Sequence, residues 1–103
     1  MNRIEKFILN VEEKPIMFLG RKRLRGLILG IKGIQQGIYL CEGIHENYFE
    51  GFKEYVENKN KEFANKGREW WEIIDILSLS EESAFDRFYQ ELHQFLKIRK
   101  AVQ

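Results

Sequence analysis

The sequence has 103 residues, of which 44% are hydrophobic, 14% are aromatic and 32% are charged. This length suits one domain with its own core, and the formal net charge of +1 excludes a protein that binds nucleic acid through overall basicity. Cys41 is the only cysteine, which excludes an internal disulfide and a C-x-x-C metal or redox motif.

No signal peptide or membrane span is predicted. Residues 1–13 mix charged and apolar residues at helical spacing, without the apolar core of a signal peptide. The longest apolar stretch, Leu27 to Leu40, is interrupted by Lys32 and is shorter than the ~20 residues that cross a bilayer. We therefore expect a cytoplasmic protein that does not bind a membrane.

Helix one is predicted over residues 3–13, because apolar residues recur at i, i+3, i+4 and i+7. These residues are Ile4, Phe7, Ile8 and Val11. Asn2 is suited to the N-cap, and Glu5 lies three residues later, as in a capping box. Pro15 ends the helix and opens an apolar connector, residues 15–20, which is either extended or a single turn.

Helix two is predicted from about Lys22 to Leu40 and carries two stripes. The apolar stripe contains Leu24, Leu27, Ile28, Ile31, Ile34 and Ile38. The glycine stripe beside it contains Gly26, Gly30, Gly33 and Gly37. An interior glycine costs ~1 kcal/mol relative to alanine, so four of them indicate a specific need. That need is either close approach of a neighbouring helix or of the connector, or a groove that accommodates a ligand.

Helix three is predicted after Gly43, with Asn47 and Glu50 as a second capping box. Its apolar face contains Phe49, Phe52 and Val56. Residues 58–67 are rich in asparagine, lysine and glycine, which is typical of a loop, and Phe63 is expected to anchor that loop to the core.

Two further helices complete the prediction. Helix four is short, and its apolar spacing comes from Trp70, Ile73, Ile74 and Leu77. Helix five begins after the N-cap Ser80, and its apolar side contains Phe85, Phe88, Leu92, Phe95 and Leu96. No alternation typical of strands occurs, so we predict an all-α fold, a compact bundle of four to five helices in a single helical domain over residues 1–103.

Residues suited to catalysis are scarce. Cys41 lies four residues before His45, which is a candidate activating base, but such a cysteine is more often a small, partly buried apolar residue. His93 lies beside an apolar helix face, and no metal-ligand spacing or phosphate-binding glycine motif occurs. We therefore predict no catalytic residue, no metal site and no cofactor, and a protein that is not an enzyme.

Two charged groups are candidate partner-binding residues. The acidic stripe contains Glu42, Glu46, Glu50, Glu54 and Glu57, whose central members lie four residues apart and would share one helix face. The basic cluster contains Arg21, Lys22, Arg23 and Arg25, where positive charge opposes the dipole at the start of helix two. Each group is either an ordinary solvated surface or a contact surface. The acidic stripe would suit a basic protein, and the basic cluster would suit an anion, a nucleic acid or an acidic protein.

Several segments resemble one group of proteins in their order along the chain. They are the Pro-Ile-Met-Phe-Leu-Gly connector, residues 48–56, Trp-Trp-Glu-Ile-Ile at residues 70–74, and residues 81–89. Together they resemble small bacterial immunity proteins of polymorphic and contact-dependent growth-inhibition toxin systems. The resemblance spans Lys14 to Leu96 and rests mainly on core-packing residues. The basic cluster and the lysine- and asparagine-rich loop near Lys61 depart from the pattern.

The resemblance implies a cytosolic protein that binds a cognate toxin domain and blocks its active or target-binding surface. Toxin-facing residues vary among such proteins, so it assigns no interface position here and leaves the oligomeric state open. The alternative is a small helical nucleic-acid-binding or regulatory module that uses the Arg21–Arg25 cluster. The seven acidic residues between Glu69 and Glu91 disfavour a nucleic acid as partner.

Overall fold

The computed structural model describes residues 1–63 and 66–102, and in them it contains six α-helices and no β-strand. The helices are α1 (Arg3–Glu13), α2 (Pro15–Leu19), α3 (Leu24–Glu42), α4 (Phe52–Lys59), α5 (Trp70–Ile76) and α6 (Glu81–Val102). The all-α class is confirmed, but the number of helices is six rather than four to five, because the connector forms a helix of its own. Across these ranges, every helix is too short or too polar to span a lipid bilayer.

The chain divides into two compact units. Unit 1 covers Met1–Glu50 and contains α1, α2 and α3, and unit 2 covers Gly51–Gln103 and contains α4, α5 and α6. Each unit has its own buried residues. The expectation of a single domain over residues 1–103 stays a prediction.

The start of α1 is the predicted capping box. The Glu5 backbone N–H donates to Asn2 Oδ1 at 2.9 Å, and the Asn2 N–H donates to Glu5 Oε1 at 2.9 Å. Two N–H groups that a helix start would leave unpaired are thereby satisfied. The helix ends at Glu13, and Pro15 opens α2, where its missing N–H and fixed φ suit a first turn.

Helix α3 runs two residues later than predicted at both ends. Arg23 has an extended backbone with φ −135° and ψ 129°, so the helix begins at Leu24. At the other end Gly43 adopts the left-handed conformation with φ 69°, and its N–H donates to the Tyr39 carbonyl at 2.8 Å. The apolar stripe is buried at Leu24, Leu27, Ile28, Ile31 and Ile38, whereas Ile34 is half-buried.

Within the glycine stripe of α3, a side chain of another helix approaches the backbone closely at Gly30. A Cβ at Gly30 would lie 3.1 Å from Cζ of Phe7, so α1 does approach the α3 backbone there. A Cβ at Gly33 or Gly37 would meet no atom within 4 Å, and at Gly26 the nearest atom is the Cβ of Arg23 at 3.8 Å. The close-approach interpretation is confirmed for Gly30 and is wrong for Gly33 and Gly37, which face open space.

We expect Gly33→Ala to raise the free energy of unfolding by about 0.5–1 kcal/mol, because alanine restricts the unfolded chain and its methyl group meets nothing. Gly30→Ala is the matched control, since it has the same helix-propensity gain but forces the Phe7 ring to shift. Urea denaturation of both variants measures the difference. An equal or smaller gain at Gly33 than at Gly30 would contradict this assignment of open and closed glycines.

The predicted start of helix three is wrong. The Asn47 and Glu50 capping box does not form, and α4 begins at Phe52. Phe49 has φ 42° and Gly51 has φ 92°, a left-handed conformation that a right-handed helix cannot contain. Phe49 is buried at 3% exposure, so burial of its ring compensates for a backbone conformation that a bulky residue rarely adopts.

The core of unit 2 is aromatic. The ring of Phe52 lies against the rings of four residues, Tyr55, Trp70, Phe88 and Phe95, at centroid distances of 6.2, 5.2, 5.7 and 5.5 Å. Three of these contacts are edge-to-face, the arrangement that ring quadrupoles favour. Because these rings come from α4, α5 and α6, Phe52 joins all three helices of the unit.

The remaining elements of unit 2 follow the predictions, except that α4 continues through residues 58 and 59, which were predicted to belong to the loop. Helix α5 covers Trp70–Ile76, and Ser80 caps α6, with its Oγ accepting the Ser83 N–H at 3.1 Å. The predicted loop forms a turn from Asn60 to Phe63, where Phe63 is half-buried, and Ala64 and Asn65 within that loop lie outside the described residues. On the surface, Lys59 Nζ of α4 lies 2.8 Å from Glu91 Oε2 of α6. The hydrogen bond to Glu91 raises the pKa of Lys59 above its usual value.

Candidate protein-binding surfaces

The predicted acidic stripe does not lie on one helix. Glu42 closes α3, Glu46 and Glu50 lie between α3 and α4, and Glu54 and Glu57 lie on α4. The spacing of four residues therefore does not place Glu42, Glu46 and Glu50 on a helix face shared with α4. The left-handed turn at Phe49 and Gly51 separates them from that helix. Glu50 and Glu54 are exposed. Glu57 Oε1 lies 4.0 Å from Lys53 Nζ.

Two members of the stripe, Glu42 and Glu46, share Arg3 as a partner. The Arg3 guanidinium nitrogen Nη2 lies 2.7 Å from Glu42 Oε2 and 2.9 Å from Glu46 Oε2. These hydrogen bonds, first to Glu42 and then to Glu46, raise the pKa of Arg3. The Arg3 backbone N–H also donates to Glu46 Oε1 at 3.2 Å. Glu42 and Glu46 thus fasten the segment after α3 to the start of α1, so within unit 1 they act as structural ligands of Arg3.

The same segment is held by Glu5 and Asn2. Glu5 Oε2 accepts the Phe49 N–H at 2.9 Å, while its other oxygen caps α1. The Asn2 side-chain amide donates to the Asn47 carbonyl at 2.5 Å. We call these contacts, together with those of Arg3, the N-terminal clasp. The Asn47 carbonyl and the Phe49 N–H are thereby bound by side chains at the start of α1, and these bonds compete with helical hydrogen bonding of residues 46–49.

The basic cluster lies at the start of α3, as predicted. Arg21 and Lys22 precede the helix, Arg23 is the N-cap residue, and Arg25 is its second residue. Arg21 and Arg25 are exposed, whereas Lys22 and Arg23 are half-buried. The four positive charges are therefore only partly available to a partner.

The corner between α5 and α6 exposes two large apolar side chains. Leu79 is fully exposed and Ile76 is 51% exposed. Acidic residues flank them in the chain, with Asp75 before and Glu81 and Glu82 after. We call this surface the α5–α6 corner. Sequence periodicity did not reveal it, because a leucine between two serines gives no sign of its burial.

A groove of about 540 Å³ adjoins the corner. It is lined by Leu77, Leu79, Asp86, Arg87 and Glu91, among others. Arg87 is the only base among residues 69–91, which contain seven acids. Its Nη1 donates to the Leu77 carbonyl at 3.1 Å, so it is held against the end of α5. The corner therefore combines exposed apolar side chains, a concave surface and a net negative segment, whose acidic excess is visible in the sequence.

A second groove, of about 500 Å³, lies beside the end of α3 in unit 1. It is lined by Lys32, Gln35, Tyr39, His45 and Glu46, among others. The His45 ring stacks on the Tyr39 ring at a centroid distance of 4.5 Å. Cys41 at the end of α3 is exposed, so the expectation of a partly buried cysteine is wrong.

Chemistry based on a metal ion finds no support in the part of the chain that the structure describes. No group of three or more histidine, cysteine, aspartate or glutamate side chains lies close enough there to hold a metal ion. In comparisons with known proteins, no family model, curated protein or solved structure matches this chain. The resemblance to immunity proteins stays a prediction, and the surfaces themselves must support any assignment of function.

Proposed function

We propose that this protein is a cytoplasmic immunity protein that binds and neutralises a bacterial toxin domain, and that the α5–α6 corner contacts the toxin. The observation that carries the proposal is Leu79, a fully exposed leucine in an acidic surrounding beside a groove. The protein acts in this proposal by occupying the toxin's surface, without catalysis of its own.

The anatomy of the corner suits protein recognition. Binding energy in protein interfaces is concentrated in a few apolar anchors that become fully desolvated, surrounded by a polar rim. Leu79 is suited to be an anchor because its side chain lies fully in solvent, and the half-exposed Ile76 adds apolar surface beside it. Ser83, Asp86 and Glu91 along the groove are suited to the rim.

The charge of the segment that contains the corner indicates the kind of toxin. Residues 69–91 carry seven acids and one base, a formal charge of −7 + 1 = −6. A toxin that acts on nucleic acid has a basic surface, because its substrate is a polyanion. An acidic inhibitor is attracted to such a surface at long range, which raises the association rate. The same charge repels nucleic acid and opposes the alternative function through the Arg21–Arg25 cluster.

The test uses the full chain and the toxin domain encoded by the neighbouring gene. We expect a complex in pull-down, and we expect Leu79→Ala to weaken the dissociation constant about tenfold or more, measured by titration calorimetry. Ile98→Ala is the matched control, since Ile98 is an exposed apolar residue on α6 outside the corner. Co-expression of each variant with the toxin measures protection of the cells.

Three results would count against the proposal. Failure to recover any complex with the toxin domain would end the immunity assignment. Equal effects of Leu79→Ala and Ile98→Ala would move the interface away from the corner. Salt-sensitive binding of DNA or RNA that is lost in Arg21→Ala and Arg25→Ala would favour the nucleic-acid-binding alternative.

A further inference from the structure

The groove beside the end of α3, which we call the α3 groove, has two polar walls. One wall is a face of α3, where Lys32, Gln36 and Tyr39 lie three or four residues apart. The other wall is the segment after the helix, which contributes His45 and Asn47. The volume of about 500 Å³ lies in the range of small-molecule sites, about 300–1,000 Å³.

Internal hydrogen bonds hold the two walls in place. The Gln35 side-chain amide donates to the Glu46 carbonyl at 3.1 Å, which joins α3 directly to the segment after it. The N-terminal clasp binds the same segment, since Arg3 Nη2 lies 2.9 Å from Glu46 Oε2. The α3 groove is therefore formed before a ligand arrives, and binding does not have to order the segment.

Several polar side chains of the α3 groove have no hydrogen-bond partner among the described residues. They are the Lys32 ammonium, the Gln36 amide, the Tyr39 hydroxyl and the Asn47 side-chain amide. Each amide offers a donor and an acceptor side by side. Among the lining residues Glu46 is the carboxylate, and both of its oxygens are bound by Arg3. The positive charge of Lys32 is thus available to a ligand.

Two aromatic rings line the α3 groove as a stacked pair. The His45 ring lies on the Tyr39 ring at a centroid distance of 4.5 Å, with 24° between the ring planes. Both residues are exposed. A flat heteroaromatic ring can extend such a stack, and every nucleobase has the π face that this requires.

We propose that the α3 groove binds a purine nucleotide, with its base stacked on the Tyr39–His45 pair. The edge of the base is hydrogen-bonded by the Gln36 and Asn47 amides, because glutamine and asparagine match the adjacent donor and acceptor of adenine. Lys32 lies about 10 Å from Tyr39 along the axis of α3. It supplies the positive charge for the phosphate at the far end of the nucleotide.

This site does not depend on the proposed immunity function. Every residue that lines the α3 groove belongs to unit 1, whereas the α5–α6 corner belongs to unit 2. Leu79→Ala is therefore expected to leave nucleotide binding unchanged, and the two proposals can fail separately.

Nuclear magnetic resonance titration of the full, ¹⁵N-labelled chain tests the site, with adenosine, AMP and ribose 5-phosphate as probes. We expect adenosine and AMP to shift the signals of Gln36, Tyr39 and Asn47 saturably, AMP with a dissociation constant of about 1 mM or lower. Ribose 5-phosphate lacks the base and should cause no saturable shift at the same concentrations.

Substitutions assign the contacts. Tyr39→Ala removes one ring of the stack and should weaken AMP binding about tenfold or more. Gln36→Ala should weaken it about tenfold, whereas Gln90→Ala is the matched control, an exposed glutamine of α6 outside the α3 groove. Lys32→Ala should weaken AMP binding and leave adenosine binding unchanged, and Lys6→Ala on α1 should affect neither. Far-UV circular dichroism verifies that each variant keeps its helices.

Four results would overturn the nucleotide site. The first is the absence of saturable shifts with adenosine and AMP up to about 10 mM. The second is equal binding of AMP and ribose 5-phosphate, which would indicate an anion contact without stacking of a base. The third is an equal effect of Gln36→Ala and Gln90→Ala, which would place binding outside the α3 groove. The fourth is a short oligoadenylate that binds far more tightly than AMP and loses this affinity in Tyr39→Ala, which would make the ligand a single strand.

Discussion

Phe52→Ala is expected to lower the free energy of unfolding by about 3–5 kcal/mol, the largest effect of any single substitution considered. Phe52 is 3% exposed, and its ring touches rings from α4, α5 and α6. Its removal leaves a cavity at a point where the three helices of unit 2 meet. The loss of the edge-to-face contacts adds to the loss of buried area.

Tryptophan fluorescence is a suitable measurement for this variant, since both tryptophans, Trp70 and Trp71, belong to unit 2. Phe52→Leu keeps most of the apolar volume and should lose clearly less, and Ile98→Ala should lose almost nothing because Ile98 is exposed. A loss below about 1 kcal/mol in Phe52→Ala would show that the aromatic cluster does not hold the unit together.

Glu5→Ala should destabilise unit 1 by about 1–3 kcal/mol. One carboxylate oxygen of Glu5 caps α1 through the Asn2 N–H, and the other accepts the Phe49 N–H. Without the carboxylate, the N–H of a buried residue loses its acceptor, and the left-handed turn at Phe49 loses the group that holds it. Both effects are independent of any partner.

Amide hydrogen exchange at Phe49 reports this contact directly. We expect a protected amide in the unmodified chain and rapid exchange in Glu5→Ala, together with a lower midpoint in urea denaturation followed by circular dichroism. Glu13→Ala is the matched control, because Glu13 is an exposed carboxylate at the other end of the same helix. An unchanged exchange rate at Phe49 in Glu5→Ala would refute the role of the carboxylate.

The parts of the fold that depend on local signals could be predicted from the sequence. The bounds of α1, its capping box and the Ser80 cap of α6 all arise from residues within four positions of one another. The start of α4 could not be predicted, because residues 46–49 are bound by Asn2, Arg3 and Glu5, more than forty positions earlier. A local pattern contains no information about such a contact.

For the candidate surfaces too, the features that depend on local sequence could be predicted and those that depend on long-range contacts could not. The acidic stripe was inferred from a helix that does not form, and with the helix its common face disappears. The acidic excess of residues 69–91 was visible, but the exposure of Leu79 beside it follows from the turn between α5 and α6. Spacing located the glycines of α3, yet only the packing of Phe7 distinguished Gly30 from the open positions.

The N-terminal clasp has a consequence for synthesis on the ribosome. All of its donors and acceptors, from Asn2 to Phe49, lie within unit 1, so the clasp can close while residues 51–103 are still being translated. At about 5–20 residues per second the translation of these residues takes roughly 3–10 s, and the clasp can close in the part of that time after Phe49 has left the ribosome. Until Phe49 emerges, however, the second carboxylate oxygen of Glu5 lacks the N–H that it binds in the folded unit. The order of translation therefore makes residues 46–49 the last piece of unit 1 to arrive and the one that completes it.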